Sequence, residues 1–419
     1  MLISSKSVTL LAENISKKAE TFCSGLFLSA RWFAVSELDH DGIQLIVLPD
    51  KDSAEYCAAD LYNLISGDVV FFLPDSGRNI ERSNYKSSLG VQRTSSIGQI
   101  IEYKKGNLII VTYPSALEEG IPDVHTIRES LLKLTVGNEV THDEIIDSLF
   151  KSGFERVDFV AEPGQFAIRG AIVDIFSYSY NDPFRVSFFG DEIDSINIFD
   201  CNTQLSKEKV QVAEIYPDLT SASEEDTAMV SVTDILPEDT LVWLDSSDMY
   251  KEKSFFGALD RFRRIYFEVP LSRQIEDPVK FNISPQPSFN KNFELLTEDI
   301  RKRLEEGYRV RIYGEKESQL ERLKAILSQN GGILPEFIAK CNIHNGFIDN
   351  DDKVCCYTDH EIFDRFHRVS IRRSVEKSEQ LTINDLTSFA IGDYIVHIDY
   401  GVGVFGGLVR MKDDKGRMH

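Results

Sequence analysis

Residues 153–200 read GFERVDFVAEPGQFAIRGAIVDIFSYSYNDPFRVSFFGDEIDSINIFD. Their spacing predicts strands over 157–161, 165–176, 184–189 and 193–199, with turn chemistry at Asn181-Asp182-Pro183 and Gly190-Asp191-Glu192. Such strands pair as antiparallel neighbours. In 184–189 the strand period of two puts Phe184, Val186 and Phe188 on one face and Arg185, Ser187 and Phe189 on the other. Only the first face reads as core. Read as part of one continuous strand, Ile168 and Ile172 share a face, and Arg169 lies between Ala167 and Ala171 on the opposite one. Arg and Phe on a noncore sheet face fit a protein-docking hot spot, because they combine apolar area with charge-assisted hydrogen bonds. The plainer alternative is that a helix of the same domain covers Phe189 and the arginines pair locally.

Outward from this stretch the pattern changes. Between Gly25 and Pro122, apolar runs at 45–49, 69–74 and 108–113 are separated by helical patterns such as 54–65. That alternation predicts an α/β layer with a parallel sheet covered on both faces. Residues 126–150 read as mainly helical, with Thr141 and Glu144 at capping-box spacing. Downstream, 219–226 is polar and acidic, 240–244 is a buried strand carrying Trp243, and the prolines and asparagines of 276–292 suggest a linker or an irregular surface crossing. A helix over 295–304, a strand over 309–313, a helix over 318–327 ended by Gly331-Gly332 and a strand over 353–357 predict a smaller α/β unit. Residues 370–388 are charged and polar, and 392–398 alternates as a strand before the glycine-rich 401–406.

A chain of 419 residues exceeds one core, so roughly two to four domains are expected. With 42% hydrophobic and 27% charged residues, it reads as folded and globular. Its 68 acidic and 46 basic side chains give a net charge of −22, which opposes nonspecific binding to DNA phosphates. The six cysteines lack the density of a disulfide scaffold, and no signal peptide or membrane span is apparent in the sequence, so a cytoplasmic location without membrane contact is expected.

Catalytic and metal motifs are weak. A P-loop needs GxxxxGK[ST] so that amides, a lysine and a hydroxyl can hold phosphates and magnesium. The nearest stretch, Gly25 to Trp32, offers Ser29 and Arg31 but neither the lysine nor the loop glycines, so no ATP hydrolysis and no cofactor are expected of this chain. Cys341, His344, Cys355, Cys356 and His360 have residue types that can bind zinc, but Cys355 and Cys356 continue an apolar strand with Val354 and Tyr357. No metal site is expected. His125, His142 and His367 have no triad partner identifiable by spacing. Arg261, Arg263 and Arg264, interleaved with Phe262, Tyr266 and Phe267, could meet a nucleic acid backbone, though a solvated helix end is the plainer reading.

The runs GFERVDFV, EPGQFAIRGAIVDIF and PFRVSFFGDEIDSINIFD closely resemble the inserted domain shared by the excinuclease subunit UvrB and the transcription-repair coupling factor (Mfd) family. The P-loop and DNA-clamping hairpin of UvrB are not found between Gly25 and Leu117, and Ile391 to Phe405 resembles the start of a CarD-like module that binds the RNA polymerase β subunit. The coupling-factor family accommodates all three features. This resemblance implies an α/β multidomain chain. A degenerate UvrB-like (RecA-type) α/β domain would occupy 1–125 and 213–287, with an inserted α+β UvrA-binding domain at 126–212. A small α/β domain at 288–372, a linker at 373–388 and a truncated start of the polymerase-interacting module at 389–419 would follow. Arg169, Arg185 and Phe189 match the family's UvrA-contacting positions. UvrA and RNA polymerase are the implied partners. ATP and DNA belong to the translocase domains of the full-length protein, and another domain of that protein masks the UvrA-binding face. The implied function is recruitment of nucleotide excision repair to stalled polymerase. The alternatives are a UvrB-like ATP-dependent helicase subunit, against which the missing P-loop lysine counts, and a CarD-type regulator of polymerase.

Overall fold

Runs of aliphatic and β-branched residues build the first sheet. Ile43–Val47 and Leu108–Thr112 are buried at every position, as expected of parallel strands covered on both faces. A computed structural model describes residues 5–65, 69–76, 88–180, 182–201, 203–220, 228–329, 334–365, 394–397 and 401–404. In it the first sheet has seven strands in the order Val279–Lys280, Glu20–Ser24, Arg263–Tyr266, Leu241–Leu244, Ile43–Val47, Leu108–Thr112 and Val70–Phe72, every neighbouring pair parallel. Alternation sends Ile43, Leu45 and Val47 into one core and Ile46 into the other. The helices Ala30–Glu37 and Lys51–Leu64 contribute to the core containing Ile46, whereas Ile97 and Ile100 of Ser88–Glu102 lie in the opposite one. The expected α/β layer is present.

The inserted segment enters on Leu132–Thr135 and leaves on Val212–Ile215, and these two strands pair with each other. Between them lies a six-stranded sheet: Ser206–Val210, Glu192–Phe199, Phe184–Phe189, Ile172–Phe176, Gln165–Arg169 and Glu155–Arg156. All its pairs are antiparallel except the last. Helix His142–Lys151 covers one face, and Ile145 and Leu149 pack among Phe166, Val173, Ile175, Phe184, Val186 and Phe188. Thr141 and Glu144 close the predicted capping box at its start.

Several expectations are corrected. Residues 126–150 are mainly helical, as expected, but not as one helix: the strand Leu132–Thr135 separates the short helix Val124–Ser130 from His142–Lys151. Residues 157–161 are not a strand. The amides of Ala161 and Glu162 donate to Gln165 Oε1 at 2.9 and 3.0 Å, bending the chain so that Val160 joins a small cluster with Ala167, Phe176 and Phe199. The stretch 165–176 is a hairpin, reversed at Gly170 with φ +61°. Ile172 therefore lies opposite Arg169 and does not share a face with Ile168. The charged strand Ser206–Val210 was not anticipated, since its exposure removes the apolar alternation that would mark it; charge also protects a sheet edge. Nor is 276–292 a linker. Val279–Lys280 extends the first sheet, Ile283–Pro285 joins the third, and Phe281 and Phe289 are buried.

That third sheet has five strands, in the order Ile283–Pro285, Phe347–Asp349, Val354–Thr358, Arg309–Gly314 and Glu336–Ala339, accompanied by helices Phe293–Glu305 and Glu317–Gln329. One of its faces packs on the first α/β layer, where Phe347 meets Phe33 edge-on at 5.1 Å. Residues 1–371 form one compact unit and 372–419 a second. In the second, Tyr394–His397 pairs with Gly401–Val404 as an antiparallel hairpin, within the strand expected at 392–398. Asn181, 221–226, Gly331-Gly332, His367, the linker at 373–388 and most of 389–419 lie outside the described residues. Among the described residues, no helix is long and apolar enough to cross a membrane.

Candidate protein-docking site

Two tight turns shape the site. Arg169-Gly170-Ala171-Ile172 and Phe189-Gly190-Asp191-Glu192 each put a glycine with positive φ at the first turn position, +61° and +67° respectively, where a Cβ would be strained. Because the strands form a meander, both turns fall at the same end of the sheet. Arg169 and Phe189 are each the last strand residue before such a turn, and Arg185 lies four residues before Phe189 on the same face.

That face is opposite the helix-covered core. One register row crosses it as Ala167, Asp174, Arg185 and Asn197. Asp174 is 1% exposed, and both arginines converge on it. Arg185 donates from Nε to Oδ1 at 2.7 Å and from Nη2 to Oδ2 at 2.9 Å, while Arg169 Nη2 also donates to Oδ2. Burying a lone carboxylate would be costly, so two charge-assisted partners are what keep it there. Arg185 also donates from Nη2 to Gln204 Oε1 at 2.8 Å and lies over the Phe199 ring at 4.1 Å. The hydrogen bonds that Arg185 donates to Asp174 raise its pKa further and hold it as a cation. Arg169 lies over Phe159 at 4.8 Å.

The outcome combines both sequence readings. The arginines pair locally, as the plainer reading has it, yet Phe189 stays 83% exposed, and no helix covers it among the described residues. Phe159 adds a second exposed ring, at 62%. Asp174, Gln204 and Phe159 are the members that sequence reasoning missed. An acid between Val173 and Ile175 was a legible signal, because Asp is depleted in strands unless something holds it. Gln204 carried no such signal.

The other candidates are occupied with structure. In the loop after Glu20–Ser24, a Cβ on Gly25 would meet Phe281 O at 2.2 Å, and Arg31 pairs with Asp245 at 2.6 Å and Glu268 at 2.7 Å. Ser29 Oγ bonds Asp60 at 2.6 Å and accepts from the Asn345 amide at 2.9 Å. Cys355 and Cys356 point into different cores, so the cysteine and histidine set is not gathered, and no cluster of three or more metal-ligating side chains occurs among the described residues. Arg261 donates to the Thr233 and Leu236 carbonyls, while Arg264 pairs with Asp260 and Glu20. Phe262, Tyr266 and Phe267 are buried. The basic cluster thus belongs to a short 3₁₀ turn and the strand Arg263–Tyr266 rather than to a solvated helix end. His125 faces Glu129 at 3.3 Å, and His142 packs on Phe188.

Residues 132–220, which hold this face, match the family model of the UvrB interaction domain, and 389–417 match that of the CarD-like/TRCF RID domain. The chain is 21% identical to a transcription-repair-coupling factor of Staphylococcus aureus (strain USA300), over 93% of this chain and 42% of that protein. It is 22% identical to one of Borreliella burgdorferi, over 74% of this chain and 33% of the relative. It spans less than half the length of these curated relatives. The chain is thus similar to a UvrB interaction domain over 132–220, to a CarD-like/TRCF RID domain over 389–417, and along most of its length to part of these transcription-repair-coupling factors.

Proposed function

We propose that this chain is a recruitment module of nucleotide excision repair, whose UvrB interaction domain binds UvrA through Arg169, Arg185 and Phe189 and brings repair proteins to a stalled RNA polymerase. The observation that carries this reading is an uncovered Phe189 on the same noncore face of the matched domain as two oriented guanidiniums. An exposed ring on one face with fixed cations costs little to order on binding and offers both apolar area and strong donors. Polymerase contact is assigned to 389–417 on the strength of the second family match.

The reading gives this chain no nucleotide, metal or hydrolysis of its own, and places it in the cytoplasm. The missing P-loop lysine and the engagement of Ser29 and Arg31 in internal bonds support that assignment over a helicase subunit. The net charge of −22 supports weak DNA binding at most.

Titration of purified UvrA by calorimetry tests the site. The wild-type chain binds, and Phe189→Ala and Arg185→Ala each weaken binding by on the order of 30-fold, the effect of losing an anchor worth about 2 kcal/mol. Equal binding by all three proteins removes the proposed site.

A further inference from the structure

We infer that Asp174 is a positioning residue of this face, holding the Arg169 and Arg185 guanidiniums in the arrangement that an acidic group of the partner reads. The inference rests on the UvrA reading above and deepens it.

Four observations carry it. Asp174 is enclosed, yet among the described residues its side-chain bonds go to the two arginines proposed to touch the partner. Arg185 is held on several sides: Nε and Nη2 on the carboxylate, Nη2 on Gln204 Oε1, and its plane on Phe199. A long side chain held this way has its rotamer restricted before the partner arrives, which is the physical content of preorganisation.

Gln204 supplies the third observation. It is a non-glycine residue at φ +60°, with its amide on Asp200 O at 2.7 Å and its Nε2 on Cys201 O at 2.8 Å. A backbone held in a sparsely populated region persists where the surroundings over-determine it, and here it aims the side chain at Arg185. Charge supplies the fourth. Two guanidiniums against one carboxylate leave the cluster net positive, and the more exposed of them, Arg169, lies over the exposed ring of Phe159. An acidic group of UvrA next to an apolar surface complements that arrangement.

The test is UvrA titration of the whole 419-residue chain, with a thermal melt of each variant. Asp174→Asn keeps the side chain's shape while removing its charge, and is expected to weaken binding about tenfold. Its effect should fall below about twofold in an Arg169→Ala/Arg185→Ala background but persist in full with Phe189→Ala, because coupling is confined to residues that act through one another. A merely structural loss would carry over to both backgrounds. Gln204→Ala leaves the buried carboxylate in place and is expected to weaken binding by about threefold, so it decides the matter if Asp174→Asn does not fold. Wild-type binding by both variants overturns the inference, as does an Asp174→Asn loss that is undiminished in the double-arginine background. If Asp174→Asn does not fold, wild-type binding by Gln204→Ala overturns it alone. If Arg185→Ala and Phe189→Ala themselves bind like wild type, the docking reading has failed and takes this inference with it.

Discussion

At the scale of single residues, the proposed docking face separates binding from stability. Phe189 makes little use of its ring inside the fold, so Phe189→Ala should change unfolding free energy by less than about 0.5 kcal/mol. Arg185→Ala is different, because it leaves the buried Asp174 with one cation instead of two. A loss on the order of 2–3 kcal/mol in urea denaturation is expected, somewhat less than for a buried pair broken outright, since Arg169 remains. Equal stability in the two variants would show that Asp174 does not depend on Arg185. Alternation made the faces of Arg185 and Phe189 legible from sequence. The acid at Asp174 was a legible signal, but its pairing with both arginines was not, because cross-strand partners are set by register and the hairpin at Gly170 shifts that register by folding 165–176 in two.

At the scale of elements, glycine turns and a capped helix hold the inserted sheet. Gly170 has φ +61° with no atom within 4 Å of where a Cβ would sit, so Gly170→Ala isolates the conformational cost. A loss of about 1–2 kcal/mol is expected, measured by chemical denaturation, with Arg169 displaced at the turn. Thr141→Ala removes the hydroxyl that accepts the Glu144 amide and should cost about 1 kcal/mol, because helix His142–Lys151 covers the core face of the sheet. Helices of this kind were readable from cap and period, as was the strand Phe184–Phe189. The strands Glu155–Arg156 and Ser206–Val210 were not, since two exposed residues, or five mostly charged ones, show no apolar period for pattern reading to use.

At the scale of the whole molecule, the first and third sheets share a core and a buried polar seam. Asp60 is enclosed there, accepting from the His344 amide at 2.7 Å, with Asn63 Nδ2 donating to Asn342 O at 2.7 Å and His344 stacked on Tyr56. Burial pushes the Asp60 carboxyl from 3.8 up to about 8, so the stability tied to its proton is complete below about pH 4 and is lost as pH rises through 8. Burial, with His360 nearby, pushes His344 from 6.5 down to about 4, so its contribution is present above pH 6.5 and is lost as pH falls through 4. The two trends oppose each other between about pH 4 and 6.5, and only the Asp60 trend remains from there to 8. The urea midpoint should therefore decline between pH 6.5 and 8.5, and Asp60→Asn should flatten that decline; an unchanged slope in the variant would assign it to other groups. Sequence by itself determined the α/β layer, the antiparallel inserted sheet and the outward side of Arg185 and Phe189, because periodicity records which face of an element is buried. Only the tertiary structure decided that Asp174 binds the two arginines together, that 276–292 joins two sheets and that the cysteines separate into different cores, because those facts depend on which distant segments meet.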